Sequence, residues 1–105
     1  MTESEIFSQV FDNRWPSPNE LLEYAKKRHG YMGDDGYYGV TYPGDLDEYQ
    51  REVEGEYIPE GFVEVSFWDG SFNAIQISEE KYLTALKAHL INCGCLELAQ
   101  ELSRA

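Results

Sequence analysis

The chain has 105 residues, 42% of them hydrophobic and 14% aromatic, which is one domain's length with enough apolar side chain to bury a core without staples. Twenty Asp and Glu against eight Lys and Arg give a formal charge of −12 and a pI near 4.3, so like-charge repulsion disfavours direct binding to nucleic-acid phosphates. No run approaches the roughly 18 apolar residues that would cross a membrane. The acidic start Met1-Thr2-Glu3-Ser4-Glu5 lacks a basic region leading into an apolar one, so no signal peptide and a cytoplasmic location are expected.

Thr2-Glu3-Ser4-Glu5 has the form of a capping box, and Ile6, Phe7, Val10 and Phe11 follow at helical spacing, which predicts a first helix over 3–11. Ser17-Pro18-Asn19-Glu20 combines a cap, a proline at the first helical position and a glutamate at the third. It predicts a helix over 18–29, with Lys26, Lys27 and Arg28 in its last turn and Gly30 as its C-terminal cap. That basic run has the ordinary explanation that cations favour helix C-termini, and it is too small to read as a nucleic-acid site. Tyr37–Tyr42 reads as a strand ending at Pro43. A helical turn around Leu46–Arg51 and a short strand near Val53–Ile58 are expected within an otherwise irregular stretch, 44–61.

Phe62–Trp68 and Phe72–Ile77 are the clearest strands, the first alternating Val63, Val65 and Phe67 with the rest, and Asp69-Gly70 between them predicts a two-residue hairpin. Ser78 caps a helix with Tyr82, Leu83, Leu86, Leu90 and Ile91 as its buried stripe; Gly94 breaks it, and Leu96, Leu98, Ala99 and Leu102 predict a last short helix. The fold class is α+β, a small antiparallel sheet built from the hairpin 62–77 and the strand near 37–42, with helices at both ends of a single domain, 1–105.

No catalytic or metal motif stands out. Asp45-Leu46-Asp47 opens like an EF-hand loop with Glu56 twelfth, but Tyr49 is fifth, Gln50 replaces the needed glycine at the sixth position, and Pro-Gly precedes it. His89, Cys93 and Cys95 are close, yet zinc needs a fourth ligand and His29 is the only other histidine. Cys93 and Cys95 are too close for an unstrained disulfide, so both are expected as free thiols, with Cys93 packed as a small hydrophobe. Gly30, Gly33, Gly36 and Gly39 sit among aspartates that would repel phosphate. The chain is therefore read as a non-enzyme without cofactor or metal.

Charge is the informative feature. Residues 34–64 hold ten acids and one base, Arg51, leaving that segment at −9, with Tyr37, Tyr38, Tyr42, Tyr49 and Tyr57 threaded through it. Charge runs are usually just solvated faces. Carboxylates interleaved with tyrosines, however, combine electrostatic steering with large contact area at low entropic cost. The expected partner-binding residues are Asp45, Asp47, Glu48, Glu52, Glu54 and Glu56 for charge, with Tyr49 and Tyr57 as anchors. The partner they imply is a basic protein.

The order of parts also carries a resemblance. Tyr37-Tyr38-Gly39-Val40-Thr41-Tyr42-Pro43 leads into the acidic insertion, Val63–Trp68 follows as a strand, and Ile75-Gln76-Ile77-Ser78-Glu79-Glu80-Lys81-Tyr82-Leu83 joins a strand to a helix. Over about residues 37–92 this resembles the immunity proteins that neutralise ribonuclease toxins in bacterial contact-dependent inhibition and related polymorphic toxin systems. The resemblance implies an inhibitor of a cationic, nuclease-type toxin. Two other readings stay open: a small hydrolase with a carboxylate pair under the sheet, and a homodimeric subunit joined through the apolar surface around Phe67, Trp68 and Phe72.

Overall fold

The computed structural model describes residues 2–104. Helix α1 (Glu3–Phe11) begins at a complete capping box, with Thr2 and Glu5 satisfying each other's backbone N–H groups, and buries Ile6, Val10 and Phe11. Helix α2 (Pro18–Lys27) uses the same device at Ser17 and Glu20 and buries Leu21, Leu22 and Ala25. It ends earlier than expected. Arg28, at φ 51°, takes the left-handed cap position that the sequence assigned to Gly30. Gly30 has a different job: a Cβ there would collide with the Val40 carbonyl and the Asp45 carboxylate.

Four antiparallel strands follow in the order β1-β2-β3-β4: β1 (Tyr31–Gly33), β2 (Tyr38–Thr41), β3 (Phe62–Trp68) and β4 (Phe72–Ser78). The sheet is thus larger than predicted by the strand β1, and the strand expected near 53–58 does not form. That stretch instead follows a short helix, α3 (Glu48–Glu52). With β2 and β4 on either side of it, β3 has no free edge for a further strand. The hairpin between β3 and β4 has three loop residues rather than two, because Trp68 pairs with Phe72; Gly70, at φ 97°, makes the turn. Helix α4 (Glu79–Asn92) starts at the Ser78 cap and ends before Gly94, and α5 (Leu96–Arg104) closes the chain. Of the predicted stripes, Tyr82, Leu86, Leu90, Ala99 and Leu102 are buried, whereas Ile91 and Leu96 are exposed.

Register determines which side of the sheet the helices cover. Val40 pairs with Val65, Val65 with Ile75 and Val63 with Ile77, so these side chains share one face. They join Tyr31, Tyr38 and Phe67 with the apolar faces of α1, α2, α4 and α5 in one core. One side-chain contact completes this sheet. The Gln9 carboxamide of α1 accepts a hydrogen bond from the Trp68 N–H at 2.5 Å and donates one to the Trp68 carbonyl at 2.7 Å.

Among the described residues, the helices with buried apolar faces all pack on that side, leaving the opposite face open. Its first row is Tyr37, Trp68 and Phe72, with ring centroids 4.7, 5.0 and 5.2 Å apart. The second row is Met32, Gly39, Ser66 and Ala74, and the third Thr41, Glu64 and Gln76. No described helix is long and apolar enough to cross a membrane.

Candidate functional site

The acidic segment divides into groups with different work to do. Asp45 is a structural carboxylate: its Oδ2 accepts from the backbone N–H of Gly30 at 2.8 Å and of Tyr42 at 2.7 Å, tying the segment to the residue after α2. It is no free docking charge. Asp47 is exposed but caps α3, accepting from the Gln50 N–H at 2.8 Å. Glu48, Glu52, Glu54 and Glu56 are exposed, and none makes a side-chain hydrogen bond or ion pair among the described residues.

The five tyrosines divide likewise. Tyr49 and Tyr57 are 61% and 73% exposed and adjoin those free carboxylates in sequence. Tyr38 and Tyr42 are buried and belong to the core. The alternation of Tyr38, Val40 and Tyr42 was the available signal for that inward placement. Tyr37 lies in the aromatic row of the open sheet face.

Asp34 and Asp35 stand apart from the rest. Both, with Gly36, have positive φ, forming a tight turn that presents their carboxylates beside Tyr37. The negative charge therefore forms two groups at opposite ends of β2. The open face of the sheet lies between them, and the main chain at Tyr57 reaches it by accepting a 2.7 Å hydrogen bond from Gln76.

Most of the basic side chains near α2 and α4 are occupied internally. Lys26 pairs with Glu101 at 2.7 Å, Arg28 with Glu60 and Glu79 at 2.9 and 3.0 Å, and Lys81 with Glu3 at 2.7 Å. Hydrogen bonds from Arg28 to Glu79 and Glu60 raise its guanidinium further above the ordinary arginine range. The basic run of α2 is thus stitched to other helices and loops, and Arg51 donates to the Pro43 carbonyl at 3.3 Å.

Cys93, His89 and Asp12 come together in sequence-distant fashion, with Cys93 Sγ 3.5 Å from His89 Nε2 and His89 Nδ1 3.5 Å from Asp12. The geometry does not activate the thiol. Sγ is also only 3.9 Å from Nδ1, which places it beside the ring rather than along the Nε2 lone pair. Burial, then Cys95 and Asp12, push the Cys93 thiol above its ordinary value, the opposite of a nucleophile's requirement. Cys93 is nonetheless exposed, not packed as a small hydrophobe as expected, because it follows the last turn of α4 at the Gly94 break.

No described carboxylate is buried, so no acid pair lies under the sheet. No three potential metal ligands cluster among the described residues. Phe67, expected on an exposed apolar surface with Trp68 and Phe72, points into the core instead. No family model, curated protein or solved structure matches this chain.

Proposed function

We propose that this chain is an acidic binding protein that docks a basic protein, in the manner of an immunity protein blocking the positive groove of a nuclease-type toxin. One observation carries the reading: Glu48, Glu52, Glu54 and Glu56 are unpaired carboxylates on an exposed segment that also presents the rings of Tyr49 and Tyr57. A nuclease groove must be positive to hold phosphates, so a surface of carboxylates can take their place and steer a fast encounter. The tyrosines supply contact area that a merely solubilising acidic loop does not need.

The docking set is narrower than the sequence suggested. Asp45 holds the segment in place, and Asp47 caps its helix, leaving four glutamates and two tyrosines as the contact set. The test is association with a basic protein captured from the native lysate by this chain and eluted with rising salt, measured at low and high salt. Replacing Glu48, Glu52 and Glu56 by Lys should slow association at low salt by about tenfold or more and have much less effect at high salt. Unchanged association after this reversal would refute the reading.

A further inference from the structure

The sheet face without helices has its own chemistry. Tyr37, just before β2, Trp68 at the end of β3 and Phe72 at the start of β4 form a ridge, with Phe72 63% exposed. Next to it lies a row of small side chains, Ser66 and Ala74, continued by Met32, whose thioether lies over Gly39. Glu64 stands in the following row, in the middle strand of the three that frame it. It is half-buried, yet its carboxylate makes no hydrogen bond or ion pair among the described residues.

Glu64 and Trp68 are four positions apart along β3, about 13 Å at strand spacing, and only the short Ser66 stands between them on this face. An aromatic ridge on one side of such a trough and an unpaired carboxylate on the other, too far apart for one group to touch both, offer two positions that suit a guanidinium. Its plane stacks on rings, its stem packs on apolar surface, and its fork pairs with a carboxylate. Lysine offers no plane and no fork. The surroundings favour a cation: Asp34 and Asp35 adjoin the aromatic end beside Tyr37, and at the other end Gln76 donates to the main-chain carbonyl of Tyr57, next to Glu56 in sequence. A second copy of this chain, also at −12, would bring like charge onto this frame.

We infer that the uncovered sheet face receives arginine side chains of the basic partner, as a contact surface separate from the four glutamates of the acidic segment. The inference rests on the docking reading for the partner's charge, but it assigns a different surface and a specific side chain.

The full chain carrying Trp15→Phe leaves Trp68 as the sole tryptophan, placed on the surface in question. Titration with a blocked nona-arginine peptide should change Trp68 emission, and a nona-lysine peptide should bind more weakly with a smaller change. Glu64→Gln and Phe72→Ala should each weaken arginine-peptide binding by about tenfold, whereas Glu80→Gln, an equal charge change on exposed α4, should have little effect. Lys substitutions at Glu48, Glu52 and Glu56 should weaken both peptides while preserving the Trp68 change at saturation.

Binding by calorimetry without a Trp68 change, and equal effects of Glu64→Gln and Glu80→Gln, would overturn the inference and leave the docking reading standing. A Trp68 response insensitive to the acidic-segment reversals, but lost in Glu64→Gln, would support the inference while sinking the acidic segment as a docking face. A dimer in sedimentation that dissociates with Phe72→Ala would assign the face to a second copy and overturn the inference.

Discussion

The side-chain amide of Gln9 stands where a strand residue would otherwise pair with Trp68. Because Gly39 pairs with Ser66, the next register position on β2 opposite Trp68 belongs to Tyr37. Tyr37, at φ −63° and ψ −27°, has already left the extended conformation. A carboxamide offers one acceptor and a donor like a peptide group, so α1 supplies the partner that β2 withdraws.

Gln9→Leu should therefore lower stability by about 1–3 kcal/mol, the range for stranding partly buried backbone groups. Urea unfolding gives the value. Emission of Trp68 should shift in the same variant, since its main chain is no longer held on the ridge side. A loss under about 0.5 kcal/mol, typical of a neutral surface change, would contradict the assigned pairing.

Asp45 and Glu52 make a sharp contrast within one acidic segment. Asp45→Ala should cost about 2–3 kcal/mol, because two charge-assisted bonds to backbone N–H groups disappear. Glu52→Gln should stay within about 0.5 kcal/mol, as an exposed unpaired side chain. Thermal unfolding of the two variants side by side checks the division of labour between scaffold and contact surface.

Tyr31, Tyr42 and Tyr82 give the fold an alkaline limit. Burial comes first among the causes that raise all three phenols above their ordinary value of 10.0. A raised folded-state value means the native protein retains protons that the unfolded chain releases. The associated stability is present below pH 10.0 and is lost as pH rises above it, at about 1.4 kcal/mol per pH unit for each group. Phenolate absorbance should show these three tyrosines titrating together with unfolding. Ionisation of the three in a protein that stays folded would refute this.

Tyr42→Phe tests a different property of the same cluster. The Tyr42 hydroxyl is buried without a hydrogen-bond partner among the described residues, so its removal relieves an unmet desolvation cost. Denaturant unfolding should find the variant equal to the parent or more stable by up to about 1 kcal/mol. A loss beyond about 1 kcal/mol would mean that the hydroxyl has a partner after all.

Much of the fold was legible because its signals are local. The boxes at Thr2 and Ser17, the Ser78 cap and the Val63–Phe67 alternation each act within a few residues of the element they define. Strand β1 is three residues long, between Gly30 and a left-handed turn, too short for any period to register. Val53 and Tyr57 favour strands by residue type, yet propensity alone does not make a strand, and this stretch pairs with neither outer edge of the four-stranded sheet. The proposed contact surface was half legible. Composition located the acidic segment, but an aspartate that caps or clamps is indistinguishable from one that docks until its donors are known. Gln9, Glu64 and the aromatic row depend on strand register, which a single sequence does not disclose.

Arg28 has one further consequence. Its grip on Glu60, together with the hold of Asp45 on Gly30, ties both bases of the acidic segment to the same end of α2. The span between those tethers can be cut or lengthened without moving its ends apart. Proteolytic nicking between Asp47 and Pro59 should leave two fragments that stay together, and the acidic segment can vary in length while the sheet and its helices keep their places.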